Sequence, residues 1–527
     1  MKRLSSSFLH PFILSSLHLF ILPSFHAFAL HAEDITIHYN GQHAKVTQNI
    51  KDSVTVNVVG TTVNIDSRFE QHKLTVLLKG KSDNAQLVLK TQGKAKVTLH
   101  GVEITSNEGA PLVLKNKKKV EINTTKGTTN TLTVTACNDT VNHKAAVIWA
   151  KDKILLSGKG TLNAIATGDG CRGIKSKKDI TIQDIRLNIT TSGNNLGEKA
   201  FAFGGLPGFT DATFPGFGND STNHGTPPPF PAFHPDSIPE DMKKQFEEMR
   251  HHFQEMMAGD STNHGTFPPF PDFSGFPARD ENDSIQGGFP AFGGKHKYVA
   301  PTKGIASKGK ITINSGNVTV RTSTPGAEGI EGKEGIIFNG GNVDVISPDD
   351  AINAGGCIEF NGAHVIARST GNDAVDSNPK DGFFSPFGSQ QQSNEPAIII
   401  RGGTVYAWSQ VGAPEEGLDC DFAPIIIEGG KVFSIGGGMG EMPSVPTNDT
   451  AQQPTALLIG LNIMQDEPVT VCDDSGHTID TIKPPFSLRR SASLVSSPAF
   501  QKGNTYTVKT KGYERTFTLQ ENFTVVR

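Results

Sequence analysis

The chain has 527 residues and a formal net charge of −4, with 49 Lys and Arg against 53 Asp and Glu. This balance gives no global reason to expect binding to nucleic acid or to an anionic membrane. Glycine (56) and proline (31) are plentiful, and charged residues make up only 19%. Such a composition is typical of many turns and short strands rather than of long helices.

The first element, residues 1–29, has the pattern of a signal peptide. Lys2 and Arg3 give a positive start, an apolar stretch follows, and Ala27-Phe28-Ala29 fits a cleavage site, with Leu30-His31-Ala32 as the alternative. An uncleaved anchor is less favoured, because Ser, His and Pro interrupt the apolar run and a spanning helix needs about 20 predominantly apolar residues. We therefore expect a secreted or cell-surface protein with no membrane span.

The five cysteines are widely spaced along the chain and lack the CxxC or Cys/His spacing of a zinc site. They are Cys137, Cys171, Cys357, Cys420 and Cys472. We expect most of them to be small buried apolar residues. One disulfide stays open as an alternative in an oxidising compartment.

Repeated segments appear from Gly173 onward. Each repeat begins with a small residue and an aliphatic residue, followed by a short polar break. A triplet in which apolar and polar residues alternate, such as Ile311-Thr312-Ile313, comes next. A turn and a second alternating pair complete the repeat. The spacing is 25 residues from Ile305 to Ile330 and 22 from Ile330 to Ile352. Period-two alternation marks strands with one buried face, which stacked repeats bury together. The residues expected to form one aliphatic ladder are Ile305, Ile330, Ile352, Val375 and Leu418.

This pattern predicts an all-β fold, a right-handed parallel β-helix. A β-sandwich is the competing fold, but it uses hairpins and does not repeat one motif at one phase. A leucine-rich repeat would need a helical or Leu-rich segment in every repeat. The predicted organisation is a signal peptide (1–29), an N-terminal β cap (33–72), a first part of the β-helix (73–195), an insertion (196–300), a second part with acidic turns (301–440), a linker (441–454) and a small C-terminal β unit (455–527).

The insertion, residues 196–300, departs from the strand pattern. It is rich in Pro and Gly and holds 15 of the 32 Phe of the chain, so apolar rings concentrate where no strand period exists. One helix is predicted in it, from Pro239 to Met257, with Pro and acidic residues at its start. We expect a mobile insertion in one turn of the solenoid; the alternative is that its Phe-Pro clusters contact a protein partner.

Acidic residues flank the aliphatic ladder on both sides. Carboxylates stacked at the ~5 Å spacing of neighbouring strands repel one another unless a cation lies between them. Ca²⁺ accepts about six to eight oxygen ligands of this kind, whereas a solvated acidic turn is the alternative interpretation. The expected ligands are Glu328, Glu331, Asp349, Asp350, Asp373, Asp376, Glu416 and Asp419. Asn353 lies in the same columns, and Asn372 and Glu415 lie, like Asp349, one step further out.

The acidic-turn motifs "AEGIEG", "DDAINA", "NDAVDS" and "EEGLDC" recur in phase, most of them followed by a strand and a Gly-rich turn. Together with the tail segment "VSSPAFQKGNTYTV", they resemble the carbohydrate-binding domain family of secreted bacterial β-helix proteins, whose fold is similar to that of pectate lyases. The resemblance covers roughly Val147 to Thr507 apart from the insertion. It implies calcium at the acidic turns and attachment to acidic plant polysaccharide or cellulose-like glycan, and it does not establish catalysis.

Three functions remain open from the sequence. The leading hypothesis is calcium-dependent, non-catalytic polysaccharide binding. A polysaccharide lyase would need a base beside the cation, and its candidates are Arg321, Arg368, Arg401 and Lys175. The third hypothesis is a surface adhesin or scaffold.

Two aromatic residues, Tyr406 and Trp408, alternate with Val405 and Ala407 and therefore point to one face of their strand. Flat rings exposed on a strand surface can stack on sugar rings. The pair is a platform for carbohydrate if that face is outward and a part of the core if it is inward, and the sequence leaves both open.

Overall fold

A computed structural model describes residues 33–50, 52–137, 145–194, 302–379, 395–420, 423–437 and 444–527. These residues form 38 strands and no helix, and none of them belongs to an apolar helix that could cross a membrane. They all belong to one compact unit. The predicted signal peptide and the whole of the 196–300 insertion, with its predicted helix from Pro239 to Met257, lie outside the described residues.

The N-terminal strands form two antiparallel hairpins, β1 with β2 and β3 with β4, in the region predicted as a β cap. Their bounds, with those of the next two strands, are β1 (Ile35–Asn40), β2 (His43–Gln48), β3 (Val54–Val59), β4 (Thr62–Ser67), β5 (Leu74–Ser82) and β6 (Gln86–Thr91). One strand of each hairpin also pairs in parallel with the following chain, β1 with β5 and β4 with β6. The hairpins therefore supply hydrogen-bond partners to the first parallel strands, which would otherwise present open edges.

An 11-stranded sheet runs from this N-terminal region through the repeats. Beyond β3, β4 and β6, its strands are β8 (Leu112–Asn116), β11 (Ala146–Ala150), β14 (Arg172–Ser176), β17 (Lys303–Ser307), β20 (Glu328–Gly332), β23 (Ile352–Ala354), β26 (Val375–Ser377) and β29 (Leu418–Asp419). They pair in that order, and all pairs from β4 onward are parallel.

A 23-stranded sheet contains two further parallel ladders that share β7 (Ala95–Ser106). One ladder continues through β9 (Val120–Thr124), β12 (Ile154–Gly158), β15 (Ile180–Gln183), β18 (Ile311–Ile313), β21 (Ile336–Phe338), β24 (Ile358–Phe360), β27 (Ile398–Ile400) and β30 (Ile425–Ile427). The other continues through β10 (Thr129–Val134), β13 (Thr161–Ala166), β16 (Ile185–Thr191), β19 (Gly316–Thr322), β22 (Asn342–Ser347), β25 (His364–Ser369), β28 (Thr404–Ser409) and β31 (Lys431–Gly436).

Each repeat thus contributes one strand to the 11-stranded sheet and one strand to each of the two other ladders. The predicted aliphatic ladder is confirmed, because Ile305, Ile330, Ile352, Val375 and Leu418 are register partners on successive strands. All five side chains are at most 2% exposed and belong to one continuous core. The described residues are all-β with sheets of parallel strands, as the repeat pattern predicts.

The turns between the two ladders also stack from repeat to repeat. Gly341 has φ of +86°, and a Cβ there would lie 2.5 Å from the carbonyl oxygen of Gly316 in the preceding turn. Only glycine fits this conformation and this approach. At the neighbouring position, Asn339 donates to Asn314 and Asn361 donates to Asn339, each at 2.8 Å. Successive repeats are therefore joined by hydrogen bonds between side-chain amides as well as by the backbone hydrogen bonds of the strand ladders.

The C-terminal strands extend the 23-stranded sheet and add a small sheet of four strands. They are β32 (Thr455–Ile463), β33 (Val469–Asp473), β34 (Thr478–Ile482), β35 (Leu488–Ser496), β36 (Thr505–Thr510), β37 (Tyr513–Thr518) and β38 (Phe523–Val526). β35 pairs antiparallel with both β31 and β32, so it meets the last parallel strand directly. The open edge of the ladder is thereby covered.

Candidate functional site

The predicted acidic columns lie on the 11-stranded sheet. Glu331, Asn353, Asp376 and Asp419 are register partners on β20, β23, β26 and β29. Because Glu331 and Asp376 directly follow the core residues Ile330 and Val375, their side chains point away from the core. The residues of the second column lie at the first position of these strands or two positions before it. They are Glu328, Asp350, Asp373 and Glu416. The structure therefore brings the two predicted columns onto one face.

The first acidic position already has a counter-charge. Lys303 Nζ lies 2.9 Å from both carboxylate oxygens of Glu328 and 2.7 Å from Oε1 of Glu331. Lys333 forms a further ion pair with Glu331. Burial alone would raise the pKa of Glu331, but these two ammonium groups lower it to about 2. Glu328 and Glu331, both predicted as metal ligands, are thus neutralised by lysine within the protein.

The next position, around Asp350, carries a buried carboxylate that is only partly satisfied. Asp350 is 5% exposed; its Oδ2 accepts a hydrogen bond of 2.7 Å from Asn353, and its Oδ1 has no hydrogen-bond partner among the described residues. Asn353 also approaches Oδ2 of Asp376 at 3.3 Å, and Asn372 donates to Oδ1 of Asp349 at 2.8 Å. Two amides therefore lie between carboxylates of neighbouring repeats.

The last position, around Asp373 and Glu416, is bonded largely to backbone amides. Oδ1 of Asp373 accepts from the Glu416 amide, and Oε2 of Glu416 accepts from the Ser444 amide at 2.6 Å. Asp419 accepts from the Ser444 hydroxyl at 2.9 Å and from the Cys420 amide at 2.7 Å. The alternative interpretation of acidic turns that bind turn amides therefore describes part of this edge.

Burial and mutual repulsion change the acidity of this face. Burial, followed by the charges of Asp349, Glu328 and Asp373, raises the pKa of Asp350 well above its ordinary value. Burial and the charge of Asp419 raise the pKa of Asp373 to about 9. Asp373 therefore keeps its proton at neutral pH unless a cation compensates its charge.

The described residues contain no group of three or more His, Cys, Asp or Glu side chains that converge as a ready metal centre. The oxygen donors around Asp350 and Asp373 are nevertheless of the type that hard cations prefer. The arrangement offers buried carboxylate oxygens without lysine partners at these two positions among the described residues.

Toward the N-terminus, the same face becomes basic and then apolar. Lys175 is the register partner of Trp149, and Lys177 Nζ lies 5.9 Å from the centre of the Trp149 ring. Burial and the nearby cations Arg172, Lys308 and Lys177 lower the pKa of Lys175 to about 7. The sequence analysis did not select Trp149 or Lys303 as site residues, although both lie in phase with the acidic columns.

The other lyase candidates lie elsewhere. Arg321 forms an ion pair with Asp344, and Arg401 lies 2.7 Å from Glu359. Arg321 and Arg368 belong to the 23-stranded sheet, and Arg401 follows β27 of that sheet. Of the four basic candidates, only Lys175 lies on the sheet that carries the acidic columns.

The aromatic pair packs against the C-terminal strands. The rings of Tyr406 and Trp408 stack with centroids 5.8 Å apart, and Trp408 also contacts Phe486. Trp408 is 7% exposed, and the Tyr406 hydroxyl donates to Asp480 at 3.2 Å. The Trp408 ring is therefore not open to a sugar, and we leave the pair out of the candidate glycan site.

Comparison with known proteins agrees with the motif analysis. A search of curated proteins finds no match. A solved structure, "Structure of the polysaccharide lyase-like protein from C. thermocellum, Gadolinium derivative", is similar to this chain with a TM-score of 0.37 and 17% identity, over 63% of this chain and 90% of that one. The family model described as "Carbohydrate-binding domain-containing protein" matches residues 60–201 and 263–374. The predicted resemblance is confirmed, because over these ranges the chain matches the model of the carbohydrate-binding domain-containing family.

Proposed function

We propose that this protein is a secreted, calcium-dependent polysaccharide-binding protein without catalytic activity. The family match supports the carbohydrate-binding part. The observation that carries the calcium part is the buried Oδ1 of Asp350, which has no hydrogen-bond partner among the described residues and lies among other carboxylates. The glycan is an acidic or plant-type polysaccharide, whose carboxylates would share the cation with the protein.

The proposed architecture is a right-handed parallel β-helix. Successive strands such as β17, β18 and β19 join three different parallel ladders before β20 returns to the first. A chain that visits three ladders in a fixed order and then begins again follows a helical path. The right hand is expected because parallel crossover connections are almost always right-handed.

The donor set around Asp350 and Asp373 fits calcium by its chemistry. The residues proposed to hold the ion are Asp349, Asp350, Asp373, Asp376, Glu416 and Asp419. Glu328 and Glu331 would stay with Lys303. Binding would replace the proton of Asp373 by the metal and draw neighbouring carboxylates together, because the described residues hold no ready metal centre beforehand.

The test is isothermal titration of the full chain with Ca²⁺, with thermal unfolding in calcium and in chelator. We expect binding and a lower Tm in chelator for the wild type, and neither effect for Asp350→Asn combined with Asp373→Asn. Glu359→Gln, which changes a carboxylate of the 23-stranded sheet, is the matched control and should behave as the wild type. An unchanged wild-type Tm in chelator would refute the calcium requirement.

Glycan binding is tested by a polysaccharide array in calcium and in chelator, with the same three proteins. We expect the wild type and Glu359→Gln to retain acidic or plant-type polysaccharide only in calcium. If the variant with both Asp350→Asn and Asp373→Asn retained the same glycans, glycan binding would not depend on the acidic face.

A calcium-dependent polysaccharide lyase is the second candidate, and Lys175 is the observation that favours it. A lysine whose pKa is lowered to about 7 by burial and neighbouring cations can accept a proton near neutral pH. Elimination on a uronate gives an unsaturated product that absorbs ultraviolet light. Growth of that absorbance on uronate polymers with the wild type, and its loss in Lys175→Met, would establish the lyase; no absorbance would leave binding alone.

A further inference from the structure

Two of the five cysteines are neighbours in space although far apart in sequence. Cys137 follows β10, and Cys171 lies between β13 and β14. β10 and β13 are adjacent parallel strands, with Val134 opposite Ala166 at their ends. The two cysteines therefore lie in the corresponding turns of successive repeats.

Backbone contacts continue from these strands into the turns. The Thr167 amide donates to the Val134 carbonyl at 2.9 Å, and a Cβ on Gly168 would lie 2.9 Å from Cα of Ala136. The Cys171 amide then donates back to the Gly168 carbonyl at 3.1 Å. This reverse turn brings Cys171 over the chain of the preceding repeat, where its thiol is in hydrogen-bond contact with the thiol of Cys137.

We propose that Cys137 and Cys171 form a disulfide that joins successive repeats when the chain meets a disulfide oxidant. Both are thiols in the structure, and their side chains already touch, so bond formation requires only rotation about the side-chain bonds and a small local shift. The inference is independent of the proposed calcium and glycan functions.

The order of attack follows from exposure and acidity. Contact with Cys137 and burial raise the pKa of the Cys171 thiol, whereas Cys137 is partly exposed. The Cys137 thiolate attacks glutathione disulfide, forms a mixed disulfide and releases one glutathione thiolate. Cys171 then loses its proton and attacks the Cys137 sulfur, which releases the second glutathione. Two electrons and two protons pass to the oxidant, which leaves as two thiols.

The remaining cysteines serve as internal controls. Cys357 is partly exposed like Cys137, whereas Cys420 and Cys472 are buried. Within the part of the chain that the structure describes, no second thiol contacts Cys357, and burial raises its pKa to about 11. A general sensitivity to oxidants would therefore modify Cys357, whereas the proposed bond would leave it a thiol.

The experiment equilibrates the reduced full chain with glutathione disulfide, alkylates remaining thiols under denaturing conditions and maps the non-reduced digest by mass spectrometry. We expect one cross-linked peptide pair, joining Cys137 to Cys171 with the loss of two hydrogen atoms, and alkylated Cys357, Cys420 and Cys472. Alkylation of both Cys137 and Cys171, or a different pairing, would overturn the proposal.

Thermal unfolding supplies a second measurement. A cross-link restricts the unfolded chain, so we expect reductant to lower the Tm of the oxidised wild type by several degrees. The Tm of Cys137→Ser should not respond to reductant, and Cys357→Ser should respond as the wild type does. A wild-type Tm indifferent to reductant, with the cross-link absent from the digest, contradicts the proposed bond.

Discussion

Lys303 Nζ lies 2.7 Å from Oε1 of Glu331, across two neighbouring strands of the 11-stranded sheet. Both side chains are less than 10% exposed. The lysine thus supplies a cation within the chain at the repeat where the acidic columns begin. Further along the same columns, Asp350 and Asp373 have no lysine partner among the described residues, and burial and neighbouring negative charges raise the pKa values of both carboxyls.

The first prediction concerns this internal cation. Lys303→Met leaves Glu328 and Glu331 buried without their main counter-charge, and breaking a buried ion pair on one side costs about 3–5 kcal/mol. We expect that loss in the free energy of unfolding measured by denaturant in chelator. Calcium should recover part of it, with a higher binding stoichiometry than in the wild type. Lys333→Met is the control, because Lys333 is 56% exposed and should change stability little.

A second prediction follows from the unsatisfied oxygen of Asp350. In Asp350→Asn an amide group replaces that oxygen and can donate to neighbouring carboxylates, which removes a desolvation cost of roughly 1–3 kcal/mol. The calcium-free variant should therefore unfold at the same or a higher denaturant concentration than the wild type. Calcium should stabilise it less. If the calcium-free variant unfolded at a clearly lower denaturant concentration than the calcium-free wild type, this account of the site would be contradicted.

The third prediction is a pH dependence of the calcium-free protein. Asp373 has a pKa of about 9 when folded, whereas an unfolded Asp titrates near pH ~4. Its contribution to stability is fully present below about pH 4 and is lost as the pH rises toward 9. Denaturant unfolding across this range should show a fall in the free energy of unfolding with rising pH, and Asp373→Asn should reduce that fall.

Titration with Ca²⁺ near pH 7 in buffers of different ionisation enthalpy should show proton release.

A fourth prediction separates the aromatic pair from glycan binding. Trp408→Ala removes a buried ring that packs on Phe486 and Tyr406, so the free energy of unfolding should fall by about 3–5 kcal/mol. Glycan and calcium affinities measured well below the Tm should stay at the wild-type level. Tyr406→Phe, which loses the hydroxyl contact with Asp480, should cost about 1 kcal/mol. A selective loss of glycan affinity in a stably folded Trp408→Ala protein would restore the platform hypothesis.

Sequence reasoning was strongest where one physical rule repeats. The ladder from Ile305 to Leu418 follows from alternation and regular spacing, and every predicted neighbour is a register partner. The acidic columns followed from the same alignment. The contact of Lys303 with both glutamates did not, because Lys303 is in phase only with Glu328, and its contact with Glu331 depends on the reach of a long side chain.

Trp408 shows a different limit of the sequence. Alternation shows that Tyr406 and Trp408 share a face, but it does not reveal whether other strands cover that face. The cover comes from Phe486 and the C-terminal strands, whose pairing of β35 with β31 spans a long stretch of sequence. Contacts of this kind have no local signature, so both interpretations stayed open until the structure placed the ring.

The stacked amides at Asn314, Asn339 and Asn361 have a direction, since Asn339 and Asn361 each donate to the amide of the preceding repeat. Arg401 donates to the oxygen of Asn361 at 3.0 Å, and a guanidinium has no oxygen to receive a bond from a further amide. A duplicated repeat can therefore be inserted between Asn314 and Asn361 without breaking the sequence of donors and acceptors. After Arg401 an inserted amide would meet a side chain that can only donate, so the ladder of amide hydrogen bonds ends at this residue.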